Sequence, residues 1–206
     1  MISIVRNPAL FYETTASDRL LGSVSTVFAA AVSNVLGAVI LVTASWTTIV
    51  AAGTYVTTTY VLSIFFGIGG ILGSWILYSA IFHGISALFG GEGSFRKTLI
   101  YTGWGFVPIA CSGLVRAGLI LLRVRGTTFP DAAQQLGPFV KNLTSGPLFT
   151  IVSFLGIIFT IWSVEIWIFA IHEARKVSLR DAAITVALPT GLWITWRLYS
   201  ILSSLF

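Results

Sequence analysis

Apolar residues run through this chain in long unbroken blocks, with none of the period-two alternation of a membrane barrel. Residues 20–91, 72 in all between Arg19 and Glu92, contain no Asp, Glu, Lys or Arg. At about 1.5 Å per helical residue, that run is several times longer than the roughly 30 Å hydrocarbon core of a bilayer. A single crossing cannot use it, so the chain must cross, turn and return. The turn falls at Thr43–Thr59, which is polar through its threonines and serine yet uncharged. Cytoplasmic loops are the ones enriched in Lys and Arg, so a charge-free turn points to the opposite side.

The same pattern predicts five crossings, at about 20–42, 60–88, 98–122, 147–171 and 182–202, with Pro189 kinking the last. The expected fold is an all-α polytopic bundle of five transmembrane helices, one membrane domain over residues 1–206. With the N-terminus inside, the inner segments hold Arg6, Arg19, Arg96, Lys97, Arg175, Lys176 and Arg180, and the outer loops hold Arg123, Arg125 and Lys141. Seven against three places the N-terminus in the cytoplasm and the C-terminus outside.

Two flanking segments carry further signals. Asn7 and Pro8 read as the cap and first turn of a short helix carrying Leu10, Phe11 and Tyr12, expected on the inner membrane surface. The outer loop should hold a short interfacial helix over Ala132–Leu136, bounded by Pro130 and by Gly137-Pro138. Asn142-Leu143-Thr144 matches a glycosylation sequon but lies too near the membrane to be a good acceptor. No internal repeat is apparent, and the apolar run after residue 19 is too long for a cleavable signal peptide.

Composition sharpens this picture. The chain is 56% hydrophobic and 9% charged, with a mean hydropathy of +0.93. Its net charge of +5 comes from Lys and Arg at the ends of apolar runs, which serve as anchors, so nucleic-acid binding is not expected. A single cysteine, Cys111, excludes an intrachain disulfide.

Candidate chemistry is sparse. Gly69 and Gly73 form a GxxxG pair, whose ordinary use is close helix packing, within the chain or in a dimer. Gly103, Gly105 and Pro108 predict a kink or unwound turn, since Pro108 leaves the carbonyl of Trp104 without its donor. Tyr101, Gly105, Pro108, Ser112 and Arg116 share one small and polar helical face. Arg116 and Arg197 come late in spans that head outward and are expected to snorkel, with Trp193 stacking on Arg197. Glu165 lies deep in the fourth span, on the face of Trp162, Phe169 and His172. It is expected to be buried and paired with His83, Lys97 or a backbone amide, with a proton- or ion-linked role as the alternative. His172-Glu173 lacks the second histidine of a zinc protease, and no nucleophile elbow or phosphate loop occurs. Neither catalysis nor a metal or other cofactor is expected.

Several of these segments together resemble a known family. They are Asn7-Pro8 with Phe11, Gly90-Gly91-Glu92-Gly93-Ser94-Phe95 with the basic pair Arg96-Lys97, Tyr101 through Pro108, and Glu173 through Ser178 before an Ala-rich last span. In order and spacing they resemble the Yip domain family (Ypt/Rab-interacting proteins), most closely its short prokaryotic members, over nearly the whole chain. The resemblance implies five membrane helices and a cytoplasmic N-terminus. In eukaryotic relatives it implies partnership with small GTPases and a role in vesicle trafficking, but no match to the Asp-Leu-Tyr-Gly-Pro motif of those relatives is present here. The expected function is non-enzymatic, through lateral association with membrane lipids, other membrane proteins or further copies of itself, in membrane organisation or trafficking. The expected location is the cell membrane, or an endomembrane in a eukaryote. The rival is a small transporter or channel with a polar path near Glu165 and the Gly103–Pro108 break; lipid scrambling or curvature sensing ranks third.

Overall fold

A computed structural model of the chain describes residues 8–13 and 19–203. Among these residues the regular structure is helical throughout: α1 (Pro8–Glu13), α2 (Leu20–Ala44), α3 (Trp46–Ala51), α4 (Thr54–Ala87), α5 (Phe95–Trp104), α6 (Val107–Val124), α7 (Ala133–Leu143), α8 (Pro147–Arg175) and α9 (Leu179–Ser203). Four stretches are long and apolar enough to cross a membrane: α2, α4, α5 with α6, and α8. By helix composition this is a multi-pass membrane protein. The fifth predicted span corresponds to α9, a helix 25 residues long and continuous through Pro189, which is not among the four apolar enough to cross. Arg180, Asp181 and Arg197 make it less apolar than the other four.

The predicted turn at 43–59 is mostly helix. Thr43 donates its hydroxyl to Val39 O, Thr57 to Gly53 O and Thr59 to Tyr55 O. Each hydroxyl is thus satisfied by its own helix, and polarity need not mean loop. The reversal shrinks to Ser45 and the Ala52-Gly53 pair, with Gly53 at φ 96°. The helix predicted at 132–136 likewise runs on through Gly137 and Pro138 to Leu143. Leu136 is buried there against Val42 and Ile49, with Val140 one turn along, so packing outweighs the breakers.

The tightest seam joins α2 to α6. A Cβ on Gly113 would lie 2.6 Å from Ser33 Oγ and 2.7 Å from the Ser33 carbonyl carbon; a Cβ on Gly37 would lie 2.6 Å from Ile120 Cδ1. Small residues let these backbones approach closely. Around the bundle α2 packs on α4, α5 and α6, α6 on α8, α8 on α9, and α9 back on α4. α5 packs on α4, α2 and α8, whereas α6 stays with α2 and α8 and has at most slight contact with α4. The two halves of the broken third span therefore occupy different places in the bundle.

Candidate functional site

The break is where sequence chemistry first becomes geometry. Gly105 N and Phe106 N bond three residues back, to Thr102 O and Gly103 O, so the α-helical ladder stops and α6 begins with Pro108 in its first turn. Three donors from other helices reach carbonyls of α5. Trp75 Nε1 donates to Leu99 O (2.8 Å), Tyr12 Oη to Tyr101 O (3.0 Å) and Trp167 Nε1 to Thr102 O (2.8 Å). Gly105 N turns to Thr102 O and so leaves Tyr101 O without its helical donor. The Tyr12 hydroxyl takes that place, where an unsatisfied carbonyl in a membrane would cost several kcal/mol. The glycines of the break serve close approach. A Cβ on Gly103 would collide with Ser23 Oγ, and one on Gly105 with Trp167 Nε1. Helix α5 thus ends at Trp104 and α6 begins at Val107, with Trp167 over the turn between them.

Tyr12 brings α1 into this site. Phe11 and Tyr12 are buried among Tyr101, Trp104, Ile166 and Ala170. The Tyr12 ring stacks on Tyr101 at 5.1 Å, and Phe11 meets Trp104 edge-on at 5.2 Å. Of the segment expected on the membrane surface, Phe11 and Tyr12 pack into the bundle while Leu10 stays exposed. Its predicted cap, Asn7, lies outside the described residues. Burial, with Tyr101 beside it, holds the Tyr12 phenol well above its ordinary pKa.

Beyond the break the departure of α6 from α4 leaves a cavity of about 480 Å³ between α4, α6, α8 and α9. Trp167, in ring contact with Tyr78 and Phe106, marks its deep end. Phe149, Val152, Ser153, Gly156, Phe159 and Thr160 form one face of α8 along it. Those positions, with Trp167, span about 27 Å of helix, close to the thickness of a hydrocarbon core. Two guanidinium groups line this cavity, Arg116 from α6 and Arg197 from α9, and no Asp or Glu does.

At the Glu92 end of the bundle a third arginine has the opposite surroundings. Arg175 is buried, with Nε on Ser86 Oγ (2.9 Å), Nη1 on Gly93 O (2.5 Å) and Nη2 on Gly91 O (2.6 Å). Glu92 N returns a bond to Arg175 O at 2.7 Å. The guanidinium sits against the C-terminal end of α4, where the helix dipole is negative and can offset its charge. Gly90 (φ 73°) and Gly93 (φ 100°) take left-handed conformations, and a Cβ on Gly93 would lie 2.7 Å from Ala174 O. The Gly90–Gly93 loop is thus shaped to wrap one side chain.

This latch joins two of the segments on which the family resemblance rests, and a Yip1 domain matches residues 2–200. The chain belongs to the Yip1 domain family. Over 48 residues it is 48% identical to an uncharacterized protein of Methanocaldococcus jannaschii, a match covering 23% of this chain and 33% of that protein. The chain thus aligns with only about a third of that relative's length. No solved structure matches it.

Several site expectations for this Yip1-domain chain need correction. Gly69 and Gly73 are exposed, and a Cβ on either would meet nothing within 4 Å. The α4 glycine that packs within the bundle is Gly67, whose Cβ would lie 2.6 Å from Val35 Cγ1. Gly69 is two residues on, and at 100° per residue it faces nearly the opposite way. Glu165 is exposed, and among the described residues it is in neither of the two ion pairs. His83 faces Thr98 Oγ1 (3.1 Å), His172 faces Val177 O (2.6 Å), and Lys97 lies 5.0 Å from the Tyr101 ring centroid. Trp193 lines the cavity with Arg197, but the cation–ring contact among the described residues is that of Lys97 with Tyr101. Of the face drawn from sequence, Ser112 and Arg116 line the cavity, while Tyr101 lies in the core with α1.

Sequence reasoning overlooked Trp75 and Trp167. Each indole sits within an apolar span and carries an N–H that lipid cannot satisfy, which was a usable signal for an acceptor at a helix break. It also overlooked the α2–α6 seam, although Ser33 to Gly37 and Gly113 to Ala117 both have the small-x₃-small spacing.

Proposed function

We propose that this Yip1-domain protein works without catalysis, by taking a component of the membrane against or into its bundle. The observation that carries this reading is the cavity opened by the helix break, about 480 Å³ and running along most of α8. Pockets of this size that are largely apolar with a few placed polar groups commonly hold small ligands. In this reading α9 is the fifth crossing, the N-terminus is cytoplasmic, and α3 and α7 cover the outer end. Lateral partners include membrane lipids, other membrane proteins and further copies of the chain, for which the exposed Gly69–Gly73 face of α4 is open. A small GTPase comes only by analogy with eukaryotic Yip proteins.

The test is to purify the chain from mixed-lipid vesicles and weigh the lipid that stays bound. Gly70 lines the cavity with open space around its Cβ, so Gly70→Phe fills the cavity without a collision at Cβ. The variant should fold and retain much less lipid; equal retention would remove the uptake reading. Labelling a cysteine at Thr54 from the outside checks the orientation, and labelling solely from the inside would reverse it. The transporter reading keeps the break, since Phe106 and Ile109 line the cavity, but Glu165 stands outside it. Solute flux in proteoliposomes that is abolished by Gly70→Phe would favour transport.

A further inference from the structure

Arg116 and Arg197 are not accounted for by packing. They line one cavity, and no carboxylate lines it with them. Among the described residues neither is in an ion pair; the two ion pairs there both involve Glu173. Arginine does not shed its proton in proteins. Two like charges inside a membrane domain are costly and mark a site for an opposite charge. Ser112 lies one turn before Arg116 on the same face of α6 and also lines the cavity, adding a hydroxyl donor. Toward Trp167 the wall turns apolar, through Ile71, Phe106, Ile109 and Phe159.

We propose that this cavity binds a phosphate group, carried by a membrane amphiphile whose headgroup lies between Arg116 and Arg197 and whose chain lies along the apolar wall. The inference rests on the uptake reading and names its ligand class. Planar guanidinium forks match the oxygens of a phosphate, and two of them with a hydroxyl offer more donors than a carboxylate can accept. Free phosphate would use the same donors without the apolar wall.

The experiment offers the full-length protein vesicles holding equal amounts of phosphatidic acid and diacylglycerol with the same acyl chains, so that the lipids differ only in phosphate. Retained lipid is measured by mass spectrometry. The wild type should enrich phosphatidic acid about tenfold, the range set by one or two charge-assisted hydrogen bonds. Arg116→Gln with Arg197→Gln should abolish the preference yet still hold diacylglycerol. Arg123→Gln with Arg125→Gln removes equal charge from positions that do not line the cavity and should keep the preference. Raised melting temperature with inorganic phosphate, in wild type but not in Arg116→Gln with Arg197→Gln, would support the phosphate site with free phosphate as its source. Equal retention of both lipids by all variants, with no response to phosphate, would overturn the phosphate claim and leave uptake standing. No retained lipid in wild type and no effect of Gly70→Phe would overturn uptake, and the amphiphile with it.

Discussion

Arg175 and the Arg116/Arg197 pair show two ways in which one membrane bundle can hold the same side chain. Arg175 has its three donor nitrogens placed on Ser86, Gly91 and Gly93, at a helix end whose dipole opposes its charge. Every partner comes from the chain, so the charge is spent on tying α8 to the loop after α4. Arg116 and Arg197 share a cavity with each other and with no acid. The difference teaches that an arginine near a membrane span is structural or available according to the acceptors around it, and residue type alone cannot tell which.

Breaking the latch should have the largest effect. Arg175→Ala leaves three acceptors facing an empty site, two of them carbonyls, and should destabilise the protein by roughly 3 kcal/mol or more, read as a lower melting temperature in detergent. Arg175→Lys should not restore it, because an ammonium cannot reproduce the fork. Next comes the break beside the cavity. Gly105→Ala puts a methyl into Trp167 Nε1 and should cost about 1–3 kcal/mol, whereas Gly69→Ala should stay within about 0.5 kcal/mol.

Tyr12→Phe removes the bond to Tyr101 O and should cost about 1 kcal/mol near neutral pH. Its pH dependence has a definite sign. The phenol's folded pKa is raised above the ordinary 10.0, so its stabilisation is present below pH 10 and lost as pH rises beyond it. Wild type should therefore lose stability more steeply above pH 10 than Tyr12→Phe does. In the cavity, Arg116→Gln should leave stability within about 1 kcal/mol of wild type, because it breaks no ion pair among the described residues. A loss as large as that of Arg175→Ala would erase the contrast between the regions.

Four long apolar helices, the helix break near Pro108 and the membrane class were legible because they rest on local properties: apolar length, and the missing amide of Pro108. The fate of Glu165 was not legible, since helical spacing shows which residues share a face but not what the face meets. The same limit hid the role of Gly67 and favoured Gly69 and Gly73. Polarity misled at Thr43–Thr59 and at Gly137-Pro138, where side-chain back-bonding and the burial of Leu136 kept the helices intact.

By itself the sequence determined that the chain is a helical membrane protein with a broken third span, because hydrophobic length and proline chemistry act within a single helix. Only the tertiary structure decided which groups heal that break, which arginine is locked and which two share the cavity. Those outcomes depend on contacts between residues as far apart as Ser86 and Arg175, and no local pattern encodes a distance across the bundle.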